Sequence, residues 1–279
     1  NVTLAIGTNP GVPAGVLTCT PGNTVATATS GTNAGKAIFA GCKISNAGNG
    51  YTLTAIATSI VPSTTILTAA TSNAFNVGAP AASISVIPSA SVIIWGQTFA
   101  ITTRFAVNGA GKAFALQRSL DGVTWITQAN LVTDAFGNSV YVYKPRTNNY
   151  YRASFAGTSD LLAGTSNAAR VLVRQKAIQS PVHATTTTIL RGAKVTFTTL
   201  VRPVGPDLPV ANVTFYIYRR VSGVWVAYTT RIVPINSLGQ ARLTWTFSIR
   251  GEWYVRSRAT PTTRNANSIP TPIARYRVV

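Results

Sequence analysis

The sequence predicts an all-β chain of three tandem β-sandwich units, the first lacking its N-terminal strands. Three observations carry this reading. The chain is rich in Val, Ile and Ala, with Tyr and Phe, set among many Thr and Ser, which is strand composition. Fifteen Pro and 22 Gly cut the 279 residues into short pieces. A set of segments then recurs three times along the chain, and three small sandwiches fit this length. The recurrence divides the chain into units at 1–78, 79–176 and 177–279.

The first unit opens directly on NVTLAI, an alternating strand from Asn1. A long connection carrying Cys19 follows, then GKAIFAG from Gly35, GYTLTA from Gly50 and TSNAFNV from Thr71. The second unit has fuller beginnings. WGQTFAITTRF from Trp95 is a turn glycine opening a strand, and FALQRSLDGVTWITQ is a hairpin turning at Asp121-Gly122. GNSVYVY from Gly137, YYRASF from Tyr150 and TSNAARVLV from Thr165 complete it. The third unit repeats the series with RGAKVTFTTLV, NVTFYIYRRVSGVWVAY, GQARLTW, WYVRSRA and the looser NANSIPTPIARYRVV.

Within each unit a tyrosine follows the repeat glycine at a similar interval, and Tyr51, Tyr151 and Tyr254 are read as one structural position. There the ring is buried and the hydroxyl is tied to backbone. Trp125 and Trp225, each just after a hairpin turn, are read as packing residues rather than a binding platform. NVTLAI corresponds to FALQRS and NVTFYI, the third strand of the other units. The first unit is therefore expected to start mid-domain, without its lead-in segment and its first glycine-led strand. Such a unit would leave a strand edge unpaired and expose inward residues, with Val2, Leu4, Ile6, Ile38, Tyr51 and Leu53 forming the edge to be completed. The expected completion is either upstream residues or a strand from a neighbouring subunit, as in donor-strand complementation.

FAGCKISNAGNGYTLTA, DGVTW with YYRASFAGTSDLLAGTSNAARVLV, and GEWYVRSRA with RYRVV together resemble the bacterial immunoglobulin-like (Ig-like) repeats of large secreted and surface-anchored proteins. The resemblance implies three tandem Ig-like sandwiches in a stalk, adhesin, envelope layer or accessory module. It implies no activity, because the motifs are signatures of fold.

Charge is lopsided and graded. Lys and Arg number 24 against five acids, with 2 basic and 0 acidic residues to Gly78, 9 and 3 from Ala79 to Lys176, and 13 and 2 from Ala177 onward. Eighteen of the cations are Arg, which suits bidentate contacts. Expected partners are anionic glycans or cell-wall polymers, alongside copies of the same chain in a homo-oligomer or polymer. WYVRSRA sets Tyr254, Arg256 and Arg258 on one strand face, and RYRVV adds Arg275 and Arg277; these five form the candidate polyanion site. No signature of a nucleic-acid-binding domain accompanies them, so nucleic acid is disfavoured.

Two cysteines, Cys19 and Cys42, most simply form one disulfide in an extracellular protein, two unpaired buried thiols being the alternative. With one histidine, His183, a metal centre lacks ligands, and no cofactor motif is present. His183 has no acid within twenty residues. Asp121, Asp134, Asp160 and Asp207 sit in turn-like stretches, and Glu252 is the fifth acid. A calcium site at the Asp134–Asn138 turn would have too few carboxylates. No enzyme is expected. No apolar run approaches the roughly 18 residues of a membrane span, and the start lacks the basic and apolar regions of a signal peptide, as in a processed product or a fragment.

Overall fold

The computed structural model describes residues 1–58, 68–206 and 208–279, and the chain is all-β, in tandem Ig-like sandwiches. The second unit shows the plan most fully. Its strands are β9 (Ile84–Pro88), β10 (Val92–Ile94), β11 (Phe99–Phe105), β12 (Ala113–Ser119), β13 (Ile126–Val132), β14 (Asn138–Tyr143), β15 (Asn149–Phe155), β16 (Gly164–Thr165) and β17 (Ala169–Arg174). One sheet runs β14-β11-β9 and the other β10-β17-β15-β12-β13, with β16 beside β15. Alternation buries Phe99, Ile101 and Phe105 from one sheet against Leu116, Tyr151, Ala153 and Val173 from the other.

The third unit repeats it with β18 (Lys176–Ser180), β19 (His183–Ile189), β20 (Lys194–Arg202), β21 (Asn212–Val221), β22 (Val224–Pro234), β23 (Gln240–Thr246), β24 (Gly251–Ala259) and β25 (Ala274–Val278). Its sheets run β18-β20-β23 and β19-β25-β24-β21-β22, around Phe197, Phe215, Phe247, Trp253 and Tyr276. The loop between β24 and β25 docks on the second unit. There Asn265, itself buried, donates to the Arg146 carbonyl at 2.8 Å, and Gln175 donates to the Thr260 carbonyl at 2.7 Å.

One segment in each of these two units serves both sheets. β9 pairs antiparallel with β11, and after Pro88 the chain continues as β10, parallel to β17. β18 pairs antiparallel with β20, and after Pro181 it continues as β19, parallel to β25. Proline has no amide hydrogen to give the ladder, so the segment leaves one sheet there and joins the other.

The first unit comprises β1 (Val2–Ile6), β2 (Leu17–Thr20), β3 (Thr24–Val25), β4 (Ala40–Ile44), β5 (Gly48–Tyr51), β6 (Leu53–Ala57), β7 (Ala70–Thr71) and β8 (Phe75–Val77), with a short 3-10 turn at Gly31–Asn33. β1 pairs with β6, as β12 does with β15, so NVTLAI is the third strand. The expectation that only later strands are present needs correction. β2, from the long connection, pairs antiparallel with β4 as β11 does with β14, and so takes the place of the glycine-led strand. Cys19 of β2 and Cys42 of β4 form the disulfide, their Cα atoms 4.0 Å apart.

A second correction concerns exposure. Ile38 is 53% exposed as expected, and Leu53 is half-buried, but Tyr51 is fully buried. Its hydroxyl donates to the Asn46 carbonyl at 2.9 Å, and the connection folds over it. Gly11 and Gly15 lie against that hydroxyl so closely that a Cβ on either would collide with it. Val2, Leu4 and Ile6 are half-buried on a strand flanked by β3 and β6, so β1 is not the open edge.

A Cβ at residue 15 would lie 2.6 Å from the Tyr51 hydroxyl and 2.8 Å from the Ile44 Cγ2. Gly15→Ala is accordingly expected to cost the first unit about 1–3 kcal/mol, read from amide exchange of β1 and β6. Gly22→Ala, which meets no atom within 4 Å, should leave that exchange almost unchanged. Reducing the disulfide, which closes a separation of 23 residues, should cost about 3 kcal/mol by the same readout.

Candidate polyanion-binding face and open sheet edges

The sheet β19-β25-β24-β21-β22 buries one face and turns the other outward. Alternation places Thr214, Tyr216, Tyr218 and Arg220 of β21 outside, with Val213, Phe215 and Ile217 inside. On β24 the outer residues are Glu252, Tyr254, Arg256 and Arg258, and on β25 they are Arg275 and Arg277. Register aligns them in rows. Arg258 lies across from Thr214, Arg256 from Tyr216, and Tyr254 from Tyr218 and Arg275, while Glu252 lies across from Arg277. The five candidate residues thus share one face.

The row neighbours make specific contacts. The Arg256 guanidinium lies 5.9 Å from the Tyr216 ring centre and 5.5 Å from that of Tyr218. Tyr218 stacks on Tyr254 with centroids 4.5 Å apart, and Trp225 meets Tyr254 edge-on at 4.7 Å. Burial raises the Tyr254 phenol above its usual range, and the Tyr218 phenol adds to this. Glu252 accepts from Arg220 at 2.8 Å. That hydrogen bond holds its carboxyl below the usual range, with Arg277 and Arg275 contributing. Arg258 donates through Nε to the Ser268 carbonyl at 2.8 Å.

Tyr216, Tyr218, Arg220 and Trp225 belong to this face and were missed as site residues. The signal was present in the alternation of NVTFYIYRR, which sends both tyrosines and Arg220 outward together. Tyr254 also proves to be out of step with Tyr51 and Tyr151. Trp253 is the buried counterpart, donating its indole N–H to the Ile249 carbonyl at 3.0 Å. It follows Gly239 by the same interval that separates Tyr151 from Gly137. The Tyr151 hydroxyl meets the Tyr143 hydroxyl rather than backbone. The second unit's outer face has a related pairing, with the Arg152 guanidinium 4.2 Å over the ring of Trp125. Both tryptophans therefore pack, but on outer faces.

The described acids make structural contacts. Asp121 accepts from Ser119, Val123 and Thr124 within its turn, and the Ser119 bond above all holds its carboxyl far below the usual range. One oxygen of Asp134 accepts from the amides of Phe136 and Asn138 at 2.8 Å. Asn236 does the same at the matching turn of the third unit. Asp160 pairs with Lys112 at 2.6 Å, and that bond lowers its carboxyl. Asp207 lies outside the described residues. Among the described residues no cluster of three or more His, Cys, Asp or Glu could hold a metal ion, and no helix is long and apolar enough to cross a membrane. His183 contacts the Tyr276 hydroxyl at 3.1 Å.

Among the described residues the first unit leaves strand edges unpaired. β8 pairs with β5 as β17 does with the start of β15, yet among the described residues no strand lies on the far side of β8 or of β2. Between the two runs a cavity of about 300 Å³, lined by Leu17, Ile44, Leu53, Phe75 and Val77 among others.

No family model matches the chain, and no curated protein matches it. Among solved structures it is similar to the fibronectin(III)-like modules of Clostridium thermocellum CbhA, at 13% identity and TM-score 0.25, covering 69% of this chain and 93% of that one. It is similar to the D0–D1 domain of Intimin at 18% identity and TM-score 0.25, over 69% and 97% of the two chains. The Yersinia pseudotuberculosis adhesin InvE is similar at 12% identity and TM-score 0.30, over 69% and 58%. The Ig-like architecture stands on strand pairing, not on these likenesses.

Burial pushes the Tyr276 phenol up to about 12 and raises those of Tyr143 and Tyr151. Each is therefore neutral when folded at a pH where the unfolded chain, titrating near 10, ionises. The stability they contribute is complete below pH 10 and is lost as pH rises through the folded values, at up to about 1.4 kcal/mol per pH unit for each. Urea unfolding followed by tryptophan fluorescence should show the third unit weakening from pH 10 toward 12, with a shallower decline in Tyr276→Phe.

Proposed function

We propose that the chain is a structural subunit of an extracellular surface assembly, a filament, sheath or envelope layer, in which a strand from a neighbouring subunit completes the first unit. One observation carries the reading. The segment that serves both sheets in the second and third units has no counterpart among the described residues beside β2 and β8. Those two strands hold the places of β11 and β17, so the slot calls for a strand antiparallel to β2 and then parallel to β8. In the second unit that strand brings Ile84, Val86 and Ile93 to the core. Each such side chain contributes about 1.5–3 kcal/mol when buried. An edge left open otherwise invites pairing with another chain. The disulfide supports an extracellular setting.

A second reading, a binding module for anionic polymers within a larger secreted protein, is favoured by the arginine-rich face of the third unit. The two are compatible.

The test of the first reading is sedimentation of the chain at rising concentration, alone and with a copy of the Ser83–Ile94 sequence fused through a flexible linker ahead of Asn1. The chain should associate reversibly. The fused strand should abolish association and slow amide exchange in β2 and β8. A chain that stays monomeric, with β2 and β8 as protected as β11 and β17, overturns the reading.

A further inference from the structure

Of the arginines on the outer face of the β19–β22 sheet, only Arg220 has an acidic partner among the described residues. Arg275 and Arg277 are exposed, with no hydrogen bond or ion pair there. Same-face neighbours along a strand stand about 6.8 Å apart and adjacent strands about 4.8 Å apart. Arg277 and Arg275 on β25 and then Arg256 and Arg258 on β24 therefore form one cationic row that steps between two strands, with Glu252 across from Arg277. The partner of such a row is a polyanion, and the aromatic residues decide which kind.

Single-stranded nucleic acid is held by bases stacking on open aromatic faces. Here the tyrosine rings already have neighbours set against them. The Arg256 guanidinium lies against Tyr216 and Tyr218, while Tyr254 is covered by Tyr218 and abutted by Trp225. What the face offers a ligand is guanidinium N–H groups and phenol hydroxyls. Those match a chain rich in hydroxyl and carboxylate or sulfate groups. Arg258 is anchored to the Ser268 carbonyl through Nε and Arg256 is held among tyrosines, so less side-chain freedom is lost on binding.

We propose that the outer face of the third unit binds an acidic polysaccharide, its carboxylate or sulfate groups held by the guanidinium forks of Arg275 and Arg277, with Arg256 and Arg258 alongside. The inference rests on the second reading above and names its ligand class and site.

The test uses the full chain with polygalacturonate, heparin and oligothymidylate as probes over a series of salt concentrations. Arg275→Ala/Arg277→Ala should weaken polygalacturonate and heparin binding about tenfold and reduce the salt slope by about 1–2. Lys194→Ala/Arg242→Ala removes the same charge from the outer face of the opposite sheet and should change affinity less than about twofold. Both pairs are exposed, so circular dichroism should be unchanged. Equal losses from the two double variants overturn the proposed site. Oligothymidylate bound as tightly as the polysaccharides overturns the ligand class while leaving polyanion binding in place. Failure to bind any of the three at low salt defeats the second reading itself.

Discussion

Two sheets packed face to face share no ladder, so a sandwich depends on whatever ties its edges together. Here the tie is the crossing segment, β9 with β10 and β18 with β19. It covers an outer edge of each sheet and threads apolar side chains between them. Pro88 and Pro181 sit where the ladder must be abandoned. Everything inward of that segment can then alternate cleanly, and both complete cores are closed by buried aromatic rings.

In the first unit no such tie is found among the described residues. Its fully buried set is small, with Leu17, Cys19 and Tyr51 the buried apolar side chains among the described residues. Two devices hold it in place of a large core. The disulfide fastens β2, which is borrowed from a connection, to β4. A cage of glycines around Tyr51 lets the backbone approach where a side chain would keep it away. Both are economical for a unit with little apolar area to bury, because they act through chain entropy and one hydrogen bond rather than through packing.

Much of this was legible in the sequence, and the failures have physical causes. NVTLAI was recognisable as a third strand because its alternation matches NVTFYI. The Asp121 and Asp134 turns were readable because a carboxylate near a glycine bonds its own backbone. The role of β2 was not legible, since LTCT is short, follows two prolines and has no repeat glycine; only its pairing with β4 reveals it. Tyr254 was misplaced by matching residue type where side-chain parity mattered. A slip of one residue reverses the face, so Trp253 took the core and Tyr254 the surface. The grouping of Arg256, Arg258, Arg275 and Arg277 could be inferred strand by strand. Tyr216 and Tyr218 joined them only through the register of β21 on β24.

The same parity explains how a chain of formal charge +19 keeps its cations out of its cores. On β24 and β25 every second position is apolar or small, Trp253, Val255, Ser257, Ala274 and Tyr276, and all are buried. The intervening positions carry four arginines and Glu252. Burying a guanidinium costs several kcal/mol unless it is paired, and five acids could not pair with 24 cations in any arrangement. The charge must therefore lie outside, and strand alternation concentrates it on sheet faces rather than scattering it over loops. On the third unit the register also sets each of these arginines across from something other than a cation, Arg258 from Thr214, Arg256 from Tyr216, Arg275 from Tyr254 and Arg277 from Glu252, which avoids the like-charge pairs that weaken a ladder.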